Sequence, residues 1–351
     1  MNFASDNAAG VAPEILAAIA AANNGSALAY GNDAATKQVE RRFAELFDHE
    51  VSVFLVPTGT AANALAIAHL APPWGAVLCH AEAHIATDEC GAPEFFGGGL
   101  KLIGLPGVAC KIGADQVAAA LAVGQWGGPH HVSPAVLSLS QATEAGTIYR
   151  PDEIRQLADV AHGRGLSVHM DGARLANALA RLDVAPADAT WKAGVDVLSF
   201  GATKGGALAA EAIVFFDPTR AAGMQERRKR AGHLLSKHRF VAAQLEAYLA
   251  DDLWLRLARH ANAMADQLGR GLAAAGHGPV WPVEANEVFV ALPQAICEHL
   301  QRANASFYPW TTDSLPADHA LAGGSTLIRL VCSFATETVD VERFLAAIKA
   351  G

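Results

Sequence analysis

Asp171 and Lys204 are the two residues whose types and spacing most directly suggest chemistry. Asp171 ends an apolar stretch at residues 166–170, and Lys204 follows a second apolar stretch at residues 195–200. An amine among small residues can form an imine and lets a flat ring approach the backbone. A carboxylate beside a pyridine nitrogen keeps that nitrogen protonated, so that the ring can accept electrons. The spacing alone also allows a plain salt bridge from Asp171 to Lys204 or to Arg174.

Residues 57–63 form a third feature, which could bind an anion. Their sequence, Pro-Thr-Gly-Thr-Ala-Ala-Asn, follows a predicted strand and opens a predicted helix. The backbone N–H groups of Gly59, Thr60 and Ala61, with the Thr60 hydroxyl, would lie at a helix N-terminus that favours a phosphate. The segment matches neither a Walker loop nor a dinucleotide-binding motif, and alone it could be a simple helix cap. Together with the acid and the amine, it supplies the three anchors that pyridoxal 5'-phosphate needs.

Two histidines, His80 and His84, lie four residues apart in the run 80–89. Their order is His-x-Glu-x-His rather than the His-Glu-x-x-His of zinc enzymes, and no third ligand follows from the spacing. We therefore expect no metal. His84 could instead stack on a cofactor ring and act as a base, or be an ordinary polar loop residue. The sequence contains no Gly-x-Ser-x-Gly elbow, which argues against the commonest serine hydrolases.

The composition predicts a compact, acidic protein. Hydrophobic residues make up 52% and charged residues 17% of the 351 residues, and the net charge is −9. The dense basic run at residues 227–230 has no interleaved aromatic residues, so we expect no nucleic-acid partner. The run fits either a solvated helix face or an anion contact across a subunit interface.

Cysteine usage and the N-terminal segment predict where the protein resides. The 5 cysteines are scattered without a Cys-x-x-Cys pair, which is typical of reduced thiols in the cytoplasm. The first residues lack a basic segment before an apolar run, and no stretch reaches the ~20 apolar residues that a membrane span needs. We expect an unprocessed cytoplasmic protein with no membrane partner.

Apolar stretches alternate with helical patterns along much of the chain. That alternation predicts an α/β fold with a mostly parallel sheet and helices on both faces. Ligands of such sheets bind beyond the carboxyl ends of the strands, where Asp171 and Lys204 lie. The predicted strands are residues 51–56, 76–79, 135–140, 166–170, 195–200 and 212–216, and predicted helices include residues 36–48, 61–70 and 151–163.

The chain divides into three predicted parts. Residues 1–30 form an N-terminal arm with a short helix that begins at Pro13. Residues 31–245 form a large α/β domain. Residues 246–351 form a smaller α+β domain, into which a long helical stretch runs from residue 225 to residue 276. Short strands at residues 287–292 and 327–332 and a final helix from Val339 complete this part.

These residues, in this order, resemble the low-specificity L-threonine aldolases, which are pyridoxal-phosphate enzymes of fold type I. The resemblance spans nearly the whole chain, and residues 90–96 and 199–204 are most similar to the pseudomonad-type members that also cleave phenylserine. It implies a fold-type I, transferase-like architecture with a seven-stranded central sheet. The matching segments are Ser5-Asp6, Tyr30-Gly31, residues 57–63, His84, residues 169–174, Thr203-Lys204 and residues 328–331.

The resemblance also implies how the cofactor would be held. Lys204 would carry pyridoxal phosphate as a Schiff base, and Asp171 would pair with the pyridinium nitrogen. His84 would stack on the ring. Gly59 and Thr60 would hold the phosphate.

Roles in substrate binding and assembly follow from the same resemblance. Arg174 and Arg329, with Ser5, would bind the substrate α-carboxylate, for which a planar guanidinium is suited. Tyr30 and the basic run near Lys229 would reach across a dimer interface into the neighbouring site. The smallest active unit would be a homodimer, and a homotetramer is the usual form in the family.

One segment departs from the family pattern. Many of these aldolases carry a histidine after the fourth strand, where this chain reads Gln-Ala-Thr-Glu-Ala-Gly at residues 141–146. Glu144 takes the place of that histidine. The candidates for the catalytic base are therefore His84, Glu144 or a bound water.

The expected reaction is the retro-aldol cleavage of L-threonine, L-allo-threonine and related β-hydroxy-α-amino acids to glycine and an aldehyde. Phenylserine is a further candidate substrate. Two alternatives remain open. One is another pyridoxal-phosphate lyase on the same scaffold, acting by β-elimination or like a serine hydroxymethyltransferase. The other is a non-catalytic scaffold that binds an anion at residues 58–60.

Overall fold

A seven-stranded sheet forms the centre of the protein in a computed structural model that describes residues 1–316 and 321–350. Its strands are β1 (Ser52–Val56), β2 (Gly75–His80), β3 (Lys101–Leu105), β4 (Ser133–Ser140), β5 (Ser167–Gly172), β6 (Val197–Gly201) and β7 (Glu211–Phe215). They lie in the order β1-β7-β6-β5-β4-β2-β3. The pairs among β3, β2, β4, β5 and β6 are parallel, whereas β7 runs antiparallel to both β1 and β6.

Both faces of this sheet are buried under helices, as predicted. Successive residues of a strand point to opposite faces. On one face Leu198 and Val214 pack with helices that include α2 (Ala34–Phe47), α7 (Pro151–His162) and α10 (Arg239–Leu249). On the other face Val197 and Ile213 pack against α3 (Gly59–Leu70). The expectation of an α/β protein with a mostly parallel central sheet is confirmed.

The remaining helices connect the strands or flank the sheet. They are α1 (Pro13–Ala22), α4 (His84–Thr87), α5 (Ala92–Phe96), α6 (Ala114–Val123), α8 (Leu175–Leu182), α9 (Met224–Arg230), α11 (Leu253–Ala274), α12 (Gln294–Arg302) and α13 (Thr338–Ala350). Within the described parts of the chain, no helix combines the length and the apolar character needed to cross a bilayer.

A second, three-stranded antiparallel sheet lies in the C-terminal part. Its strands are β8 (Glu287–Pro293), β9 (Tyr308–Pro309) and β10 (Ser325–Val331), in the order β8-β10-β9. Phe3 of the N-terminal segment packs into the core of this part, and its carbonyl accepts the N–H of Val331 at 2.8 Å. The boundaries at residues 30 and 245 stay predictions, and residues 317–320 and 351 of the predicted small domain lie outside the described residues.

The predicted helical stretch from residue 225 to residue 276 is largely helical but is not continuous. Three helices occupy it, α9, α10 and α11. Asp251 and Asp252 separate the last two with left-handed backbone angles, φ 49° and 54°, that no α-helix contains. Strand β3 was also missed, because Lys101 and Gly104 interrupt its apolar residues and leave no continuous apolar run at this sheet edge.

Candidate active site

A cavity of about 350 Å³ lies beyond the carboxyl ends of the central strands, and we call it the strand-end cavity. Parallel strands present these ends at one edge of the sheet, so residues distant in sequence meet there. Its lining includes Thr58, Gly59, Thr60, Asn63, His84, Glu144, Asp171, Arg174, Lys204 and Glu211. A larger groove of about 920 Å³ lies between α3, α5 and α9. Arg227 and Arg230 of the basic run line that groove, but none of the residues predicted to bind the cofactor or the substrate or to act as a base does.

Asp171 lies near the end of β5 and is buried. Its Oδ2 accepts a hydrogen bond from Asn63 Nδ2 at 2.7 Å, and its Oδ1 accepts the Ala173 N–H at 3.0 Å. Burial alone would raise the pKa of this carboxyl, but the positive charges of His84 and Lys204 and the Ala173 N–H hold it below its usual value. The cavity therefore contains a fixed carboxylate.

Lys204 lies in the turn that follows β6. The buried carboxylate of Glu211 holds this turn, because its Oε2 accepts the Ala202 N–H at 3.0 Å and its Oε1 accepts the Thr203 N–H at 3.4 Å. Among residues 1–316 and 321–350, no ion pair or hydrogen bond involves the Lys204 ammonium. The salt bridge to Asp171 that spacing allowed is thus not formed, and the amine is available to a ligand in the cavity.

Helix α3 begins at the cavity wall. Thr58 is its N-cap, and the Thr58 Oγ1 accepts the Ala61 N–H at 3.1 Å. The Ala61 N–H, predicted to bind the cofactor, thus already has an acceptor inside the chain. The N–H groups of Gly59 and Thr60 have no acceptor among the described residues, so they remain at the positive end of the helix dipole.

His84 is the first residue of α4 and is held at two atoms. Its backbone N–H donates to Glu144 Oε1 at 2.9 Å, and its Nδ1 lies 2.8 Å from Glu89 Oε1. The hydrogen bond with Glu89 is the main cause of a raised His84 pKa, against the opposite effect of burial. Asn63 Nδ2 donates to Glu89 Oε1 at 2.8 Å as well as to Asp171. Asn63 and Glu89 were not predicted as site residues, although they are the last residues of the segments 57–63 and 80–89 considered in the sequence analysis.

Glu144 lines the cavity beside His84. Its Oε1 also accepts the Ser140 hydroxyl at 2.6 Å, whereas its Oε2 is buried with no hydrogen-bond partner in the described chain. Burial raises the pKa of this carboxyl. A carboxyl in this state can exchange a proton nearer to neutral pH than an exposed glutamate can.

Arg174 lines the cavity but already has carboxylate partners. Asp6 accepts from Arg174 Nε at 2.7 Å and from Nη2 at 3.1 Å, and Glu287 Oε1 lies 3.4 Å from the same Nη2. Arg329 lies 3.9 Å from Glu287 Oε1, with its guanidinium over the Trp310 ring at 4.4 Å. Asp6 and Glu287, both buried, were not predicted as site residues.

Three residues expected at the substrate do not line the strand-end cavity. They are Ser5, Arg329 and Tyr30. The Ser5 hydroxyl instead accepts the Asn7 N–H at 3.1 Å. Tyr30 is 47% exposed and lies under the Lys229 ammonium, 4.4 Å from the ring centre. Tyr30 and Lys229 therefore form a surface pair in the single chain.

Two clusters of potential metal ligands occur in the described residues: His80-Glu82-Cys110 and His84-Glu89-Asp171. In the cluster His80-Glu82-Cys110, the Cys110 thiol donates to Glu82 Oε2 at 3.0 Å. In the cluster His84-Glu89-Asp171, the Asn63 amide donates to both carboxylates. Hydrogen bonds within the protein thus account for both groupings.

The donor set of the cavity fits pyridoxal phosphate. An available amine, a fixed carboxylate and unpaired N–H groups at a helix start correspond to the aldehyde, the ring nitrogen and the phosphate of that cofactor.

Comparison with known proteins identifies the family. The model of the beta-eliminating lyase family matches residues 2–295. The chain is 43% identical to the low specificity L-threonine aldolase of Pseudomonas aeruginosa, over 97% of this chain and 94% of that protein. It is 40% identical to the low specificity L-threonine aldolase of a Pseudomonas species, over 99% of this chain and 97% of that protein.

The structure of Leishmania major threonine aldolase superposes with a TM-score of 0.91 at 29% identity, covering 99% of this chain and 98% of that one. The fold-type I architecture implied by the sequence is confirmed. With the sequence matches spanning almost the entire chain, and with a cavity whose donors suit pyridoxal phosphate, the protein belongs to the beta-eliminating lyase family and, within it, to the low-specificity L-threonine aldolases.

Proposed function

We propose that this protein cleaves L-threonine, L-allo-threonine and related β-hydroxy-α-amino acids to glycine and an aldehyde. The observation that carries the proposal is that the Lys204 amine and the Asp171 carboxylate line one cavity without forming an ion pair within the described chain. A structural salt bridge would have consumed both groups.

Pyridoxal phosphate is the cofactor, and when bound it supplies an aldehyde that forms an imine and a ring that accepts electrons. Lys204 would hold its aldehyde carbon, and Asp171 would keep a negative charge at the ring nitrogen. Gly59 and Thr60 would bind the phosphate through their backbone N–H groups. His84 would lie against the ring.

We assign the substrate carboxylate to Arg174, which lines the cavity, and to Arg329 and Ser5, which do not line it in the single chain. Arg174 is already fixed by Asp6 and Glu287, so its guanidinium would meet the substrate in one orientation. Holding the carboxylate sets which bond at Cα stands perpendicular to the ring, and that bond is the one that breaks. For cleavage, it must be the Cα–Cβ bond.

A base must remove the β-hydroxyl proton as that bond opens. His84 and Glu144 both line the cavity and both have raised pKa values, His84 through Glu89 and Glu144 through burial. Each is therefore a stronger base than the same group exposed to solvent.

Product analysis with L-threonine, L-allo-threonine and L-phenylserine tests the reaction. We expect glycine with acetaldehyde or benzaldehyde, and Lys204→Ala should abolish both the products and the visible absorption of lysine-bound cofactor. The second candidate, β-elimination, is favoured by the name of the matching family model. A 2-oxo acid and ammonia in place of aldehyde would establish it and overturn the aldolase proposal.

We also propose a cytoplasmic homo-oligomer, with a homodimer as the minimum and a homotetramer as the working form. Tyr30 and Lys229 form an exposed pair in the single chain and would complete the site of a neighbouring subunit. Sedimentation gives the oligomeric state. Mixing Tyr30→Ala with Lys204→Ala subunits should restore activity, because each hybrid dimer contains one site with Lys204 from one subunit and Tyr30 from the other. If activity is not recovered, Tyr30 does not contribute to the site of the neighbouring subunit.

A further inference from the structure

The side chain of Glu89 lies between His84 and Asp171 and is completely buried. Its exposed fraction is 0%, whereas that of the His84 side chain is 36%. The Glu89 Oε1 is 2.8 Å from His84 Nδ1 and 2.8 Å from Asn63 Nδ2, and its Oε2 has no partner in the described chain. A buried carboxylate with one unsatisfied oxygen costs folding free energy, so its hydrogen bonds to a histidine and an amide of the cavity point to a role in the site.

The donors around Glu89 specify the histidine tautomer. The Asn63 amide donates one N–H to Glu89 Oε1 and one to Asp171 Oδ2, so both oxygens act as acceptors. An ionised Glu89 has no hydrogen to donate, so the Nδ1 of His84 carries the hydrogen that lies between them. The other ring nitrogen, Nε2, is then left with a lone pair and is the end of the ring that can face the cavity.

Glu144 anchors the same residue from the other side. Its Oε1 accepts the backbone N–H of His84 at 2.9 Å, at the start of α4. His84 is therefore fixed in position by Glu144 through its backbone and in ring orientation by Glu89 through Nδ1. This arrangement of an acid, a histidine and a substrate hydroxyl has the same logic as a catalytic acid-histidine pair.

We infer that Glu89 is a positioning residue that keeps the His84 proton on Nδ1, so that His84 Nε2 accepts the β-hydroxyl proton of the substrate. The inference rests on the proposed aldol cleavage. As Nε2 takes the proton, the hydroxyl oxygen and Cβ become the aldehyde carbonyl, and the electron pair of the Cα–Cβ bond stays at Cα. Glycine forms when Cα takes up a proton from water, and His84 Nε2 returns its proton to solvent after the aldehyde has left. Glu89 stabilises the positive charge that His84 then carries, and Asn63 keeps Glu89 in place without neutralising it.

Solid-state ¹⁵N NMR of histidine-labelled holoenzyme tests the tautomer directly, with the His84 signals assigned by their loss in His84→Asn. We expect the proton on Nδ1 at a pH above the histidine titration. A proton on Nε2 instead would overturn the inference. The measurement uses the unsubstituted enzyme, so it does not depend on the folding of any Glu89 variant.

Glu89→Gln tests the consequence for catalysis. Loss of a carboxylate that orients a metal-bound histidine typically costs about 10- to 100-fold, and we use that range for the Glu89–His84 pair. We expect kcat to fall by that factor, with KM and the cofactor spectrum little changed. Glu89→Asp keeps a carboxylate and should recover part of the loss. Glu298→Gln, an exposed glutamate on α12, is the matched control and should behave as the unsubstituted enzyme.

The pH profile separates positioning from a purely structural role. The charged groups that face His84 are Glu89, Asp171 and Lys204, with Glu144 at its backbone. Glu89→Gln removes the carboxylate nearest to the ring, so the acidic limb of kcat should move to lower pH. If kcat and the position of the acidic limb are unchanged in Glu89→Gln, the inference is overturned.

The two proposals fail differently. If the enzyme releases no aldehyde from any β-hydroxy-amino acid, the proposed function falls whichever tautomer His84 has. If aldehyde is released but His84 Nε2 carries the proton, only the role of Glu89 falls.

Discussion

Glu211→Gln should remove the pH dependence of stability that Glu211 contributes at the turn that carries Lys204. Glu211 begins β7, where it pairs with Val56 of β1 and Gly201 of β6, and it is 6% exposed. Burial raises the pKa of this carboxyl from 4.5 to about 7, although hydrogen bonds from Thr203 and Ala202 and the charge of Lys204 act in the opposite direction.

The size of the effect follows from that pKa. Each pKa unit is worth about 1.4 kcal/mol, so ionising Glu211 in the folded state costs about 3 kcal/mol relative to the unfolded chain. Between pH 4.5 and pH 7 the folded protein retains a proton that the unfolded chain has lost, so stability falls as pH rises through this window. Above it, the whole penalty is present. A glutamine has no such penalty, but its amide nitrogen cannot accept the Thr203 N–H, which costs about 1 kcal/mol at every pH.

The variant is therefore expected to be about 1 kcal/mol less stable than the unsubstituted protein at pH 4.5 and about 2 kcal/mol more stable at pH 8.5. For a chain of this size, 1 kcal/mol corresponds to roughly 2 °C in Tm. Thermal unfolding of cofactor-free enzyme from pH 4.5 to 9, at one protein concentration, should show the two Tm curves crossing. Glu298→Gln is the control. Curves for Glu211→Gln and the unsubstituted protein that run parallel over the whole range would refute a raised Glu211 pKa.

Three further predictions concern the edges of the same cavity. Asp6→Asn should lower the free energy of unfolding by about 3 kcal/mol at pH 7, because it leaves the buried guanidinium of Arg174 short of a partner. Arg174 holds the pKa of Asp6 below its usual value despite burial, so the stabilisation from the Asp6 carboxylate is present above pH ~4 and is lost as pH falls through the folded pKa. The unfolding free energies of the two proteins, measured in urea, should therefore converge in acid. Arg174→Lys should raise KM for the amino acid more than tenfold while the cofactor still binds, since an ammonium cannot keep the two hydrogen bonds by which Asp6 fixes the guanidinium and also reach the substrate carboxylate. An unchanged KM in steady-state kinetics would remove Arg174 from the substrate site. Thr58→Ala should lower the free energy of unfolding by about 1 kcal/mol, because it removes the cap on the Ala61 N–H. It should also weaken the binding of pyridoxal phosphate in a fluorescence titration. Equal affinity in the variant would show that the cap does not support the phosphate site.

The sequence alone predicted the parts of this protein that depend on local pattern. Continuous apolar runs located six of the seven central strands, because a strand buried on both faces needs apolar side chains in succession. Asp171 and Lys204 were found for the same reason, as polar residues that interrupt or follow such runs. The apolar pattern did not predict the edge strand β3 or the break at Asp251, because neither is marked by a clear change in the succession of apolar residues.

The partners of those residues were decided by the tertiary structure. Asn63 reaches Asp171 across 108 residues, and Arg174 reaches Asp6 across 168. Glu211 supports the lysine turn because β7 lies antiparallel between β1 and β6, a strand order that no local pattern contains. Local sequence reports whether a residue is buried and in which element, since these depend on its own side chain and its near neighbours. Which carboxylate meets which donor depends on how distant strands are ordered in the sheet, and only the folded chain determines that.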